Sequence, residues 1–543
     1  MSLFCFHNRS FVLTKGAFIF WLLAGIFFNE SQAASLEELL PQLAERTFPA
    51  KQAALDSLAT SNDERVPAIL TALAQGELYL RSVNPIIVIG QPSTPGNLRL
   101  IDPLTQRDLG EVGASSSKKI TLNNKMRTTL RLALAVWHLN DANPTIRLAA
   151  AREMLGENNP TVLQALQNQL ARESVVAVRN ILVIALALPQ LTADDAVNRL
   201  KAISVLANNL YPEARNALVP LAESDPDPSV KSAAVKALSS IDRQLTWSNR
   251  LETLFFGLSL GSVLVLAAIG LAITFGVMGV INMAHGELIM IGAYTTYLVQ
   301  TALPSWLDYS ILLAIPAAFI VSALFGILIE RTVIRFLYGR PLETLLATFG
   351  ISLILQQLVR TFISAQNVVV QNPGWMSGAW PINPALALTY SRLYILIFAL
   401  AVFVALLLVL RRTNLGLAVR AVSQNRAMAR AMGVRSARVD VLTFGLGSGV
   451  AGVAGVALSQ LTNVGPNMGQ AYIIDSFMVV VFGGVGNLWG TLVAGLSLGV
   501  ANKIMEPWAG AVLAKILVLV FIILFIQKRP RGLFPPRGRA AEG

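Results

Sequence analysis

Residues 279–294 read GVINMAHGELIMIGAY. Within six positions they place an amide, an imidazole and a carboxylate (Asn282, His285 and Glu287) among Gly279, Gly286 and Gly292. Polar and ionisable side chains in a membrane-grade stretch are costly, so by default they mark a pathway or a helix end. Two chemistries follow. In one, the chain turns here: Glu287 opens the next helix and complements its N-terminus, and His285 is a solvated or hydrogen-bonded turn residue. In the other, Asn282 and its neighbours line a polar path. A second interruption lies far downstream in FGGVGNLWGT, residues 482–491, where Asn487 sits among glycines. Paired interruptions of apolar segments point to a translocation path, and unwound backbone there is tolerated where it faces a water-filled cavity. The uncharged run from Leu254 to Ala284 would be about 45 Å long as a straight helix, well over the ~30 Å hydrocarbon core. Asn282 and Gly286 are the expected break points.

The elements that must hold these residues are set by composition. The chain has 543 residues, 54% hydrophobic and 14% charged, with a mean hydropathy of +0.58, as in a membrane protein. A net charge of +12 looks like a nucleic-acid signal, but its location argues otherwise, because the Arg and Lys cluster in short segments between apolar runs, as the positive-inside rule requires. Apolar runs fall near 254–281, 287–303, 310–329, 343–363, 392–410, 440–463, 475–484, 488–505 and 511–527. The run 475–484 is short, which gives eight or nine spans. Residues 411–438 hold seven arginines and no acid, so they face the cytoplasm, as do Arg331, Arg335, Arg340 and the tail around Lys528. The uncharged segment 364–391 faces outside. This topology puts 279–294 at the inner side, favours the turn reading for His285 and Glu287, and leaves Asn282 and Asn487 open between the two. It favours nine crossings. Glycines spaced by four (Gly257/Gly261, Gly445/Gly449, Gly486/Gly490, Gly495/Gly499) predict closely packed helices. Asp440 and Asp475 read as helix caps, and Arg360 as a snorkelling residue at an outer helix end.

Residues 1–34 read as a secretory signal peptide, with Arg9 and Lys15 before a short apolar run and Ser31–Ala34 as the cleavage region. The only cysteine, Cys5, lies within it, so the mature chain has neither disulfides nor thiolate chemistry. Residues 35–250 are mixed polar and apolar and form an exported domain. Asn143-Pro-Thr-Ile-Arg-Leu-Ala-Ala-Ala, Asp227-Pro-Ser-Val-Lys-Ser-Ala-Ala-Val and the weaker Glu173-Ser-Val-Val-Ala-Val-Arg-Asn resemble HEAT-type helical repeats. Short strands near 85–90 and 119–122 interrupt them. The fold class is all-α: a polytopic transmembrane bundle (251–535, with a tail at 536–543) preceded by a HEAT-like domain with a small β-containing insertion.

A pump needs an energy source, yet the chain has no G-x-x-x-x-G-K-[ST] loop, no H-E-x-x-H site and no G-x-S-x-G elbow. No metal, cofactor or catalytic set is expected. Residues 414–434 instead predict an amphipathic cytoplasmic helix ended by Gly433, on which a separate ATPase would dock.

These residues carry a resemblance. The loop 414–434 resembles the ATPase-coupling loop of ABC importer permeases, which implies roles for Arg420, Asn425, Ala429, Ala431 and Gly433. GVMGVINMAHGE (276–287) and GGVGNLWG (483–490) are similar to the hallmarks of the branched-chain amino acid permease family over about residues 251–535. Gly279, Asn282, His285, Gly286 and Glu287 are its motif positions. Within that family the exported extension and Asn372-Pro-Gly-Trp-Met-Ser-Gly378 resemble the permeases of urea importers. The resemblance implies a non-enzymatic inner-membrane subunit with a periplasmic N-terminal domain and a cytoplasmic C-terminus. Its implied partners are a second homologous permease, two cytoplasmic ATPases that use the ATP, and a periplasmic solute-binding protein. A neutral solute needs amides, hydroxyls or carbonyls, and Asn282, Asn487, Gln356 and Ser352 offer that chemistry. A branched-chain amino acid importer and a membrane-tethered scaffolding module are the alternatives.

Overall fold

The structure, a computed structural model, describes residues 36–45, 47–61, 63–81, 85–93, 97–113 and 116–534. The expected signal peptide, Cys5 and the extreme tail lie outside these residues. The chain divides into two compact units, at Ile241 and Asp242.

The first unit is built of short helices, α1 (Leu36–Gln42), α2 (Phe48–Thr60), α3 (Val66–Gln75), α4 (Asn124–His138), α5 (Pro144–Glu153), α6 (Pro160–Arg172), α7 (Val176–Gln190), α8 (Ala196–Leu206) and α9 (Pro212–Ser224). It ends in the first turns of α10 (Pro228–Met278). Prolines open several of them, where the missing N–H had no partner. Asn143, Asn159 and Asp195 cap their helices through side-chain oxygens, each replacing one lost intrahelical bond. The insertion is larger than expected. It starts at residue 78 and forms a five-stranded antiparallel sheet, in the order β4-β3-β2-β1-β5, from β1 (Leu78–Arg81), β2 (Ile87–Pro92), β3 (Asn97–Ile101), β4 (Asp108–Gly113) and β5 (Ser117–Lys119).

Three helices repeat with a 52-residue period, α5–α7 and α8–α10. The N-caps Asn143 and Asp195 correspond, and four residues on stand Arg147 and Arg199. Each arginine donates to the two carbonyls before its own helix, Asp141 and Ala142 or Ala193 and Asp194. Each also pairs with an acid 26 residues later, Glu173 at 2.8 Å or Asp225 at 3.0 Å. Each acid in turn accepts the backbone N–H two residues ahead. The sequence similarity between 143 and 227 therefore joins helices that are not equivalent in the repeat.

The second unit contains the rest of α10, then α11 (His285–Ala302), α12 (Ser310–Thr332), α13 (Pro341–Phe362), α14 (Tyr390–Arg412), α15 (Asn414–Gln424), α16 (Arg426–Ala431), α17 (Ser436–Ser459), α18 (Met468–Gly483) and α19 (Leu488–Lys528). Six helices are long and apolar enough to cross a membrane: α10, α12, α13, α14, α17 and α19. All nine expected runs are helical. The difference in count arises because α11 and α18 are short or polar, and α19 contains two runs divided at Gly510 (φ +75°). The apolar stretch of α17 is 89% buried and that of α19 only 17%, so α17 is central and α19 peripheral. Residues 379–389, expected as plain loop, form a hairpin of β6 (Ala379–Asn383) and β7 (Leu386–Thr389).

Close packing rests on glycine. Gly292 of α11 lies against Gly452 of α17, and a Cβ on either would collide with backbone or with Ser322 of α12. The expected pairs Gly257/Gly261 and Gly495/Gly499 do meet, between α10 and α19. Gly445 and Gly449 instead receive the side chains of Ile327 and Phe319. Asp440 and Asp475 are not caps. Both lie inside helices and form ion pairs, with Arg426 and Lys515.

In the first unit the hydrogen bond from Arg147 holds the Glu173 carboxyl down at about 2, from 4.5, against the effect of its burial. A depressed carboxyl stabilises fully above its unfolded value, so this contribution is present above about pH 4.5 and is lost as pH falls towards 2. Glu173→Ala should cost about 3 kcal/mol at pH 7, because it leaves a buried guanidinium unpaired. Melting the helix signal of the full chain at pH 7 and pH 3 checks both points: the variant melts earlier at pH 7 and loses less on acidification.

Candidate functional site

The 279–294 stretch begins with a helix end. α10 stops at Met278, and Gly279 takes φ +65°, a conformation glycine adopts at no steric cost. The break opens at Gly279 and includes Asn282, as expected, whereas Gly286 is already helical. Gly286 lies in the first turn of α11, packed so closely on Gly469 of α18 that a Cβ would strike its carbonyl.

The expectation of a solvated turn does not hold. Asn282, His285 and Glu287 are each at most 2% exposed. His285 is hydrogen-bonded through Nε2 to the carbonyl of Ala267 (2.9 Å). Asn282 accepts the N–H of Ala284 (3.0 Å), closing the turn. Glu287 does open α11, yet its carboxylate faces α13: Ser352 Oγ donates to it at 2.9 Å and Gln356 Nε2 at 2.8 Å. Three polar atoms here have no protein partner, Asn282 Nδ2, His285 Nδ1 and Glu287 Oε2. Buried polar atoms are nearly always satisfied, so each of these three calls for an explanation.

The partner side is a stripe on α13. Thr344, Thr348, Ser352 and Gln356 recur every four residues and are all buried, as expected for one face of a helix. Thr348 Oγ1 accepts the N–H of Met283 (3.1 Å) and so pins the turn. One turn further, Arg360 donates to Asn467 (2.6 Å). α13 thus carries a polar seam along an otherwise apolar helix. The four-residue spacing was visible in the sequence, but only Ser352 and Gln356 were singled out there.

Asn487 does not join the seam. It caps α19, accepting from Trp489 and Gly490, and its amide faces the Phe534 carbonyl (3.4 Å). It borders a separate cavity of about 300 Å³ together with Arg411 and Arg420. Of the four path residues expected from sequence, the structure brings together Ser352 and Gln356, on Glu287, while Asn282 closes the turn that Thr348 holds through Met283.

The arginine-rich loop is two helices and not one. Asn425 breaks it (ψ 100°) and caps α16 by accepting from Met428 N. Gly433 takes φ +89° with open space around its Cβ position. Ala429 is buried, while Ala431, Leu417, Met428 and Met432 are exposed. The pair is held to the bundle by three arginines. Arg420 donates to the Leu410 carbonyl and Arg430 to Ser436. Arg426 is bidentate on Asp440, at 2.8 and 2.7 Å, and stacks 4.0 Å from the Tyr338 ring centroid. Such a fork-to-carboxylate pair fixes geometry as well as energy, so motion of α16 is tied to α17.

Residues 253–526 match the family described as branched-chain amino acid transport system / permease component, and residues 184–248 match HEAT repeats. Similar proteins include the high-affinity branched-chain amino acid transport system permease protein LivH of Salmonella typhimurium, 31% identical over 52% of this chain and 94% of that protein. The corresponding protein BraD of Pseudomonas aeruginosa is 32% identical over 52% of this chain and 95% of BraD. The ribose import permease protein RbsC of Escherichia coli is 30% identical over 19% of this chain and 34% of RbsC. No solved structure matches.

Asp440→Ala should leave Arg426 unpaired beside Tyr338 and release α16, at a cost of about 3 kcal/mol. The expected outcome is faster tryptic cleavage at Arg426 and Arg430 with unchanged total helix content, read by timed proteolysis and circular dichroism.

Proposed function

The chain belongs to the branched-chain amino acid ABC permease family, and on that premise we propose that it is the multi-pass permease subunit of an ATP-driven importer in a bacterial inner membrane. The observation that carries the coupling role is the α15–α16 pair, which turns apolar side chains outward while its arginines lock it to α14 and α17. A cytoplasmic ATPase docks there, a second homologous permease completes the path, and a periplasmic binding protein delivers the solute. The HEAT-like unit lies on the periplasmic side. ATP hydrolysis belongs to the partners, and this chain supplies no catalytic residue.

The solute path runs along the seam of Glu287, Ser352 and Gln356, with Asn282 at its inner end. The named substrates of the similar permeases make a branched-chain amino acid the leading reading. Urea, the expectation from the sequence, is the second. One observation favours it: the unpaired atoms beside the turn are an amide donor, Asn282 Nδ2, and a carboxylate acceptor, Glu287 Oε2, a set that complements a small amide.

Uptake by proteoliposomes containing this chain and its partners, offered labelled leucine and labelled urea, tests the assignment. Leucine uptake supports the leading reading, and urea uptake alone supports the second. Gly433→Asp, which puts a side chain at positive φ on the docking face, should leave ATP hydrolysis running and cut uptake at least tenfold. Uptake at the wild-type rate counts against coupling through this loop.

A further inference from the structure

At the end of the bundle opposite α15 and α16 lies a cavity of about 260 Å³. It is bordered by α10, the start of α14, the end of α17, α18 and both arms of α19. The arms double back at Gly510, so that residues 502–506 and 511–515 share one wall. Five charged side chains line this space. Four are paired: Asp475 with Lys515 (2.8 Å) and Glu506 with Lys503 (2.5 Å). The fifth, Arg392, has no carboxylate within ion-pair distance among the described residues. Its guanidinium lies over the Phe256 ring, 4.7 Å from the centroid. Asn502 is 9% exposed, and its Oδ1 is buried with no donor. A guanidinium with no acid in ion-pair contact, though near Glu506, and an amide oxygen without a donor thus face one small cavity.

We propose that this cavity is an entry site for a small zwitterion, an α-amino acid, with Arg392 as its specificity-determining residue. The solute carboxylate forms a forked pair with Arg392, geometry that guanidinium provides and ammonium does not. The solute ammonium donates to Asn502 Oδ1 beside the Glu506 carboxylate. The four paired charges cancel one another, so Arg392 alone gives the empty site its net positive charge. Urea has no carboxylate and gains nothing from Arg392. The inference rests on the amino acid reading above and narrows it.

The test uses the assembled transporter in proteoliposomes, with labelled leucine and with leucinamide, which lacks the carboxylate, as competitor. A charge-assisted bond of the usual strength corresponds to at least a tenfold effect. Arg392→Ala should raise the KM for leucine at least tenfold, keep the maximal rate and ATP hydrolysis within twofold, and abolish the preference for leucine over leucinamide. Arg392→Lys should recover part of that preference. If the alanine variant does not assemble, Arg392→Gln carries the same expectation, since it keeps donors without the charge. An unchanged KM and preference in a variant of a leucine-importing wild type overturns this site and leaves the importer assignment standing. A wild type that carries urea and no amino acid overturns both.

Discussion

The bundle depends on backbone-to-backbone contact between helices that carry no side chain at the crossing. In a bilayer, lipid tails are as apolar as leucine, so helices do not associate by hiding from water, and van der Waals fit must do the work. Gly292 against Gly452, Gly286 against Gly469, and Gly261 against Gly499 are the places where that fit is closest. They bring α11 against α17 and α18, and α10 against α19. Because the crossings are so tight, the short and polar α11 is held inside the bundle despite its modest apolarity.

That placement makes the polar seam tolerable. Glu287 lies on the helix most firmly gripped by glycine contacts, and Ser352 and Gln356 supply donors to one of its oxygens. The opposite oxygen stays free beside Gly469, where a larger residue would fill the space. The same packing links the seam to the arginine-rich loop. α17 carries Asp440 near one end and, further along, the glycine that meets α11. Arg426 and Asp440 thus join α16 to the helix against which Glu287's own helix is seated.

Much of this was legible in the sequence. The nine apolar runs, the HEAT-like character and the role of Gly257/Gly261 follow from composition and local spacing, which physics reads directly. His285 is hydrogen-bonded and Glu287 opens its helix, as the turn reading had it, but both are buried, so solvation of the turn was the part that failed. Charge topology locates a segment along the membrane normal and says nothing about which residues surround it. Asp440 and Asp475 were misread for a related reason. Their partners, Arg426 and Lys515, lie 14 and 40 residues away, so local capping rules could not find them. Asn282 does lie in the break, but its opening at Gly279 and the helical state of Gly286 are set by backbone angles that spacing does not reveal. The stripe on α13 was visible as a four-residue spacing and was overlooked because threonine passes unnoticed in an apolar run.

The 52-residue register of the first unit has an evolutionary side. Each arginine bolts the carbonyls before its helix to an acid 26 positions on, and that acid orders the next helix start. The length of such a stack is therefore quantised. A duplication or deletion of a whole three-helix module preserves every bolt, whereas one that removes an arginine or its acid alone strands the other in the core. Relatives of this unit are expected to differ in length by multiples of one module.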